Sequence, residues 1–213
     1  MRALGALVEA GTPVLAADPA GMPATRAPRR RGCWYAVALT LLIGCGGAVR
    51  AADAPPGDVE YAVKAAYLYK FAGYVDWPPT SFPNATTPLT IGVVGADRLA
   101  AELARQLAGL SVGDHPVSVT PLRPGDAVNG VQILFIGREE NPVLKRLLAG
   151  VEARPVLTVT EAAGALGDGS VINFVTTDNR VRFEISLVAA QRNGLKVSSR
   201  LLGVAQQVQT GDP

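Results

Sequence analysis

The chain has 213 residues, 48% of them hydrophobic, a length and composition suited to one domain with a sizeable core. Its net charge of +2 hides an asymmetry: residues 1–51 carry six Lys/Arg against Glu9 and Asp18, while the remaining 14 Lys/Arg and 16 Asp/Glu leave the rest at −2. The domain therefore has no basic surplus with which to neutralise phosphates, and nucleic acid is excluded as an expected partner.

Residues 1–21 hold Gly, Pro and Ala with no regular apolar period. Met22, four residues before Arg26, is the expected translation start, which would leave residues 1–21 unmade. Arg26, Arg29, Arg30 and Arg31 then form a basic segment, followed by an apolar run from Trp34 to Ile43. As a helix this run is about 15 Å long, short of the ~20 residues needed to span a bilayer. A basic segment, a short apolar run and the small residues Gly44, Gly46 and Gly47 make residues 1–51 an export leader, which places the product in the periplasm.

Two processing sites compete. Val49-Arg50-Ala51 presents small residues for cleavage and would release a soluble chain from Ala52, the favoured outcome. Leu42-Ile43-Gly44-Cys45 matches a lipoprotein signal, in which Cys45 would be lipidated and the protein would then be anchored to the membrane. Cys33 and Cys45 are the only cysteines. Cleavage after Ala51 removes both, and with them any disulfide, thiol nucleophile or Cys-ligated metal.

Residues 52–57 read as a flexible mature N-terminus, residues 58–208 as the domain and residues 209–213 as a tail. Tyr61, Ala65, Leu68, Ala72 and Val75 recur at helical spacing, predicting a helix of about five turns capped by Asp58 and stopped at Trp77-Pro78-Pro79. Leu89–Val94 is a buried-type strand and Gly95 turns it into a helix over Ala96–Ala108. A short strand with Val117, Val119 and Pro121 alternating follows, then a strand over Val131–Ile136. A helix is expected over Asn141–Leu148 with Pro142 in its first turn, a strand over Pro155–Val159 and a short helix over Glu161–Leu166. Ser170–Thr176 and the alternating Val181, Phe183 and Ile185 form a hairpin around Thr177-Asp178-Asn179. Helices over Leu187–Arg192 and Val197–Val208, broken at Asn193-Gly194, close the chain. Strands alternating with helices predict a single three-layer αβα sandwich, Rossmann-like, with a mostly parallel mixed sheet.

The chemistry-bearing residues are sparse. The single histidine, His115, sits in Gly113-Asp114-His115-Pro116 and reads as a solvated loop residue, because no serine stands in a nucleophile elbow. One histidine and scattered carboxylates make a metal site unexpected. Gly92-Val93-Val94-Gly95 lacks the spacing of a dinucleotide fingerprint, and Asp97 would repel an anion; it and Gly167-Asp168-Gly169 read as tight turns. Arg180, Arg182, Arg192 and Arg200 read as scattered surface charges. No catalytic residue, metal or cofactor is nominated. Tyr67, Tyr69, Phe71, Tyr74 and Trp77 fall within eleven residues, more aromatics than one helix face can bury. That surplus predicts a binding surface or a self-association surface.

Lys64-Ala-Ala-Tyr67-Leu-Tyr69-Lys-Phe71-Ala72 with Val75-Asp76-Trp77-Pro78 resembles the opening signature of YfiR-like periplasmic proteins. Leu157-Thr-Val159, Gly169-Ser-Val-Ile172-Asn173-Phe174, Val181-Arg182-Phe183-Glu184-Ile185 and Gly194-Leu195-Lys-Val-Ser198-Ser199-Arg200-Leu201-Leu202 fit the same family, over roughly residues 58–208. The resemblance implies a periplasmic α/β sandwich, often dimeric. It also implies a regulatory role: restraining a membrane-bound diguanylate cyclase by holding its periplasmic sensor domain, which lowers cyclic di-GMP and disfavours biofilm. The best understood relative uses disulfides, which this domain lacks.

The resulting expectation is a non-enzymatic regulatory or binding protein whose partner is a membrane-bound sensor, with a homodimer also expected. The expected interface is Tyr67, Phe71, Tyr74 and Trp77 of the aromatic helix with Arg182 and Glu184 of an exposed edge strand. The alternative is a small-ligand carrier or sensor using the crevice near Gly95 and Gly137.

Overall fold

An unbroken apolar run such as Leu89–Val94 has two faces to bury. The chain buries both by setting this strand inside an eight-stranded sheet. The computed structural model describes residues 56–211 except Ala85. The leader, Cys45 and the proposed cleavage sites lie outside the described residues.

The elements run α1 (Pro56–Tyr74), β1 (Val75–Asp76), β2 (Leu89–Val94), α2 (Asp97–Leu107), β3 (Ser111–Val112), β4 (His115–Leu122), β5 (Ile133–Ile136), α3 (Leu144–Ala149), β6 (Leu157–Thr160), β7 (Ile172–Thr177), β8 (Arg180–Ser186), α4 (Leu187–Arg192), β9 (Lys196–Val197), α5 (Ser199–Leu202) and β10 (Gln207–Gln209). The large sheet has the order β10-β8-β7-β6-β5-β2-β4-β3. Its central strands β7, β6, β5, β2 and β4 are parallel, while the β7–β8 hairpin and the β3–β4 pair are antiparallel. The expected mixed, mostly parallel sheet is present.

Alternation along β5 shows how the layers form. Ile133 and Phe135 join a core with Leu68, Phe71, Leu99 and Leu103 of α1 and α2. Leu134 and Ile136 point the other way and pack with Leu144 and Leu148 of α3. The chain moves from β2 to β4 across the first face through α2, and from β4 back to β5 across the second face through residues 123–132.

Several boundaries differ from expectation for identifiable reasons. Helix α1 begins at Pro56, so Asp58 lies in the first turn, where it complements the helix dipole, and not at the cap. Val75 leaves the helix to pair with Val197 as β1–β9. Residues 138–143 form a 3₁₀ turn containing Pro142, and the α-helix starts only at Leu144. Glu161–Leu166 is a series of turns and not a helix: the Ala162 amide donates to Asn173 Oδ1 at 3.1 Å, and Gly164 adopts φ +75°.

The largest departure is at the C-terminus. Residues 197–208 were expected to form one helix. Ser198 caps the four-residue α5, Gly203 ends it, and Gln207–Gln209 pair in parallel with Glu184–Ser186. Strand β8 is therefore covered by β10 along residues 184–186 and is not the free edge the sequence suggested. Of the Asn193-Gly194 pair only Gly194 is left-handed, at φ +70°.

The parallel strands β2 and β5 end in close contact. A Cβ on Gly137 would lie 2.1 Å from the Gly95 carbonyl oxygen. Gly137→Ala is therefore expected to cost at least about 1–3 kcal/mol, the usual range for forced overpacking, measured by urea unfolding. Gly73→Ala, where a Cβ meets no atom within 4 Å, should not destabilise.

Candidate functional site

The adjacent strands β2 and β5 send their connections to opposite faces, β2 through α2 on the first face and β5 through α3 on the second. The carboxyl ends of β2 and β5 thus form a topological switch point, the place where open parallel sheets make crevices. Gly95 (φ +64°) ends β2, Gly137 ends β5 and Glu161 follows β6. The first turns of α1 lie across them and enclose a crevice of about 310 Å³. Its location near Gly95 and Gly137 is the one expected from sequence.

The contents of the crevice were not foreseen. Lys64, on the inward face of α1 between Tyr61 and Leu68, is only 2% exposed. Its Nζ donates to Glu60 Oε1 at 2.5 Å and is paired with Glu161 Oε2. Arg138 closes the group: Nη2 donates to Glu60 at 2.7 Å, Nε lies 3.3 Å from Glu161 Oε2, and its backbone amide donates to Glu161 Oε1 at 3.2 Å. Two cations and two carboxylates make the set neutral. At its margin Arg98 pairs with Asp58 and lies over the Tyr61 ring, 5.4 Å from the centroid.

The electrostatics follow from this packing. Burial opposes ionisation of Glu60, but the hydrogen bond from Lys64 and the charges of Lys64 and Arg138 outweigh it and hold the carboxyl below its ordinary value. Attraction to Glu161 holds Arg138 above its usual range against the opposing effect of burial. Since Lys64 and Arg138 are already matched by carboxylates, the group works as a latch between α1 and the strand ends. It presents no unmatched nucleophile or proton donor. Among the described residues no group of three or more His, Cys, Asp or Glu side chains is placed to hold a metal ion.

The residues expected at a partner interface separate. Phe71 is 0% exposed and belongs to the core, packed against Phe174 and edge-on to Phe183. It cannot contact a partner on the folded domain, because its position one turn from Leu68 points it at the sheet. Tyr67 is half-buried and contacts the same phenylalanines. Trp77 is half-buried against Phe82. Tyr74 is 37% exposed and Arg182 is exposed, while Glu184 is half-buried in the strand that β10 flanks. Val59 and Val63, which sequence reading passed over, extend the exposed side of α1 beside Tyr67 and Arg182, along a groove of about 640 Å³.

His115 is also not a solvated loop residue. It opens β4, stacks on Phe82 at 3.9 Å between centroids, and its Nδ1 lies 2.8 Å from the Thr87 carbonyl oxygen. Arg180, Arg182, Arg192 and Arg200 all lie on the surface, and Arg192 pairs there with Glu152. Gly167-Asp168-Gly169 forms turns, with Asp168 paired to Lys145.

Lys64→Met leaves Glu161 buried with a single remaining cation and is expected to destabilise the fold by about 3–5 kcal/mol in urea unfolding. The double variant Lys64→Met/Glu161→Gln should recover part of that loss. A pH series tests the second carboxylate. Because the folded Glu60 value lies below its ordinary value of 4.5, its contribution is full above that point and is lost as pH falls through the folded value. Thermal unfolding between about pH 7 and about pH 3 should therefore show the unmodified protein losing more stability than Glu60→Gln.

Residues 61–206 match a protein-family model described as YfiR/HmsC-like. No curated protein matches the chain. Among solved structures it is similar to a conserved domain protein from Vibrio cholerae, at 11% identity and a TM-score of 0.47, with 70% of this chain and 60% of that one covered. The chain thus spans less than two thirds of that protein's length. The family match runs from the second turn of α1 to the residue before β10, which is most of the described domain. The chain belongs to the YfiR/HmsC-like family.

Proposed function

We propose that this protein is an exported periplasmic regulator without enzymatic activity of its own, which restrains a membrane-bound diguanylate cyclase by binding its periplasmic sensor domain. The observation that carries this reading is the family match over residues 61–206. The leader pattern of residues 22–51 supports the location, with soluble release favoured over lipidation at Cys45. The surface offered for the partner is the outer side of α1, with Val59, Val63, Tyr67 and Tyr74, together with the exposed Arg182 of β8. Exposed apolar and aromatic side chains next to an arginine are the composition that protein interfaces favour. A homodimer through the same side of α1 would compete with that partner.

A second reading rests on the switch-point crevice. A space of about 310 Å³ with Arg98, Asp97 and Glu139 at its walls suits a small polar molecule, as in a carrier or sensor. Saturable thermal stabilisation by small polar compounds, lost in Arg98→Ala, would favour it over the regulatory reading.

Deleting the gene is expected to raise cellular cyclic di-GMP and biofilm, and the intact gene is expected to restore both. Complementation with Tyr74→Glu or Arg182→Glu, both at exposed positions, should fail to restore repression although the protein accumulates normally. Unchanged cyclic di-GMP in the deletion strain under every condition tested would sink the cyclase-repressor reading. Mass spectrometry of proteins retained on the tagged chain from membranes should recover a membrane protein with a periplasmic sensor and a GGDEF output domain.

A further inference from the structure

The second face of the sheet is incompletely covered. Between β4 and β5 the chain crosses this face as turns and loop over residues 123–132, where parallel crossovers usually place a helix. The space such a helix would fill is only partly taken. Leu122, Val131 and Leu134 drop onto β2 at Gly92, where an added Cβ would lie 2.7 Å from Leu122 Cδ1 and 3.1 Å from Val131 Cγ1. Beside them, between residues 123–129 and α3, remains a cavity of about 400 Å³.

Its floor and its rim differ chemically. Val94, Leu122, Leu134, Leu147 and Val151 make the floor apolar. The rim carries Arg123, Arg146 and Arg154 against the single carboxylate of Asp126, a local charge of +2 in a region that is net negative as a whole. Arg154 is held in place, its Nη2 donating to the Val128 carbonyl oxygen and to Asn129 Oδ1, both at 3.2 Å. Asp126 is committed to the loop itself: its Oδ2 accepts from the Arg123 amide at 2.8 Å, and its own amide donates to the Arg123 carbonyl oxygen at 3.0 Å. The guanidiniums of Arg123 and Arg146 form no ion pair among the described residues.

We propose that this cavity is a binding site for a small amphipathic anion, an aliphatic chain ended by a carboxylate or phosphate. The chain replaces water on the apolar floor, and the two unmatched guanidiniums with the anchored Arg154 receive the head. Geometry, charge and hydrophobicity agree on that class: a neutral chain leaves the arginines unmatched, and a cation meets them with the wrong sign. The site lies on the face opposite α1 and is independent of the regulatory reading given above.

Isothermal titration of the full chain with octanoate, octyl phosphate, octanol and octylammonium tests it, each ligand kept below its micelle concentration. One anion or both should bind saturably at one site per chain, at least about tenfold tighter than octanol or octylammonium. Binding by one anion alone identifies the head group. Arg123→Gln/Arg146→Gln, at exposed positions, should weaken anion binding about tenfold or more while leaving urea unfolding unchanged. Leu147→Trp, which fills the cavity from a half-buried position, should abolish it. Equal affinity for the neutral and anionic compounds, no saturable binding, or binding indifferent to these substitutions would each overturn the proposal. Cyclic di-GMP assays are not part of this readout, so failure here leaves the regulatory reading standing.

Discussion

An ammonium group taken out of water costs several kcal/mol unless carboxylates meet it in good geometry. Lys64 is buried within the layer between α1 and the sheet, so the positions of Glu60 and Glu161 are not free variables. Glu60 comes from the same helix, one turn earlier, and Glu161 from the end of β6. The pairing therefore fixes the rotation of α1 and its placement over the strand ends. Once α1 is so placed, Phe71 and Leu68 face the sheet, while Val59, Val63 and Tyr74 are left outside. The candidate partner surface is in this sense what remains of the helix after the lysine has chosen its inward face.

The two sides of the sheet are built by different means. One carries the long α1 and α2 with a dense aromatic cluster of Tyr67, Phe71, Phe174 and Phe183. The other carries the short α3, turns and loop, and relies on polar ties. Asn193 donates to the Val156 carbonyl oxygen at 2.9 Å and accepts from the Ala153 amide at 3.1 Å. Thr160, Ser170 and Asn173 form a buried hydrogen-bonded chain beneath the turns that follow β6. Buried polar chains of this kind are stable only when every member is satisfied. They let a layer with little helix keep a defined shape around its cavities.

Much of this was legible in the sequence, because the periods were strong. Leu89–Val94 and Leu187–Arg192 form the expected elements, and the αβα architecture follows from alternation alone. The misreadings share a cause. Residues 161–166 and 197–208 have helical composition, but tertiary partners claim their backbone: Asn173 takes the Ala162 amide, and β8 takes residues 207–209. Phe71 counts as a surplus aromatic only while the sheet face under α1 is taken as narrow, whereas Phe174 and Phe183 of the hairpin β7–β8 widen that same face and bury it. The Lys64 latch left one trace in the sequence, a lysine inside the apolar stripe of α1. Its partner Glu161 lies 97 residues away, beyond the reach of any local pattern.

That distance has a kinetic meaning. The first helix takes its inward charge partner from residue 161, and the residue that follows it, Val75, pairs with Val197. The sheet edge is closed last, by residues 207–209. Contacts of such long range slow folding, since the entropy of closing the loops comes before the reward. A nascent chain of this design cannot latch α1 in place or close its sheet edge until nearly all of it is available. For the exported protein proposed above, that delay would keep the chain threadable until its passage through the membrane is complete.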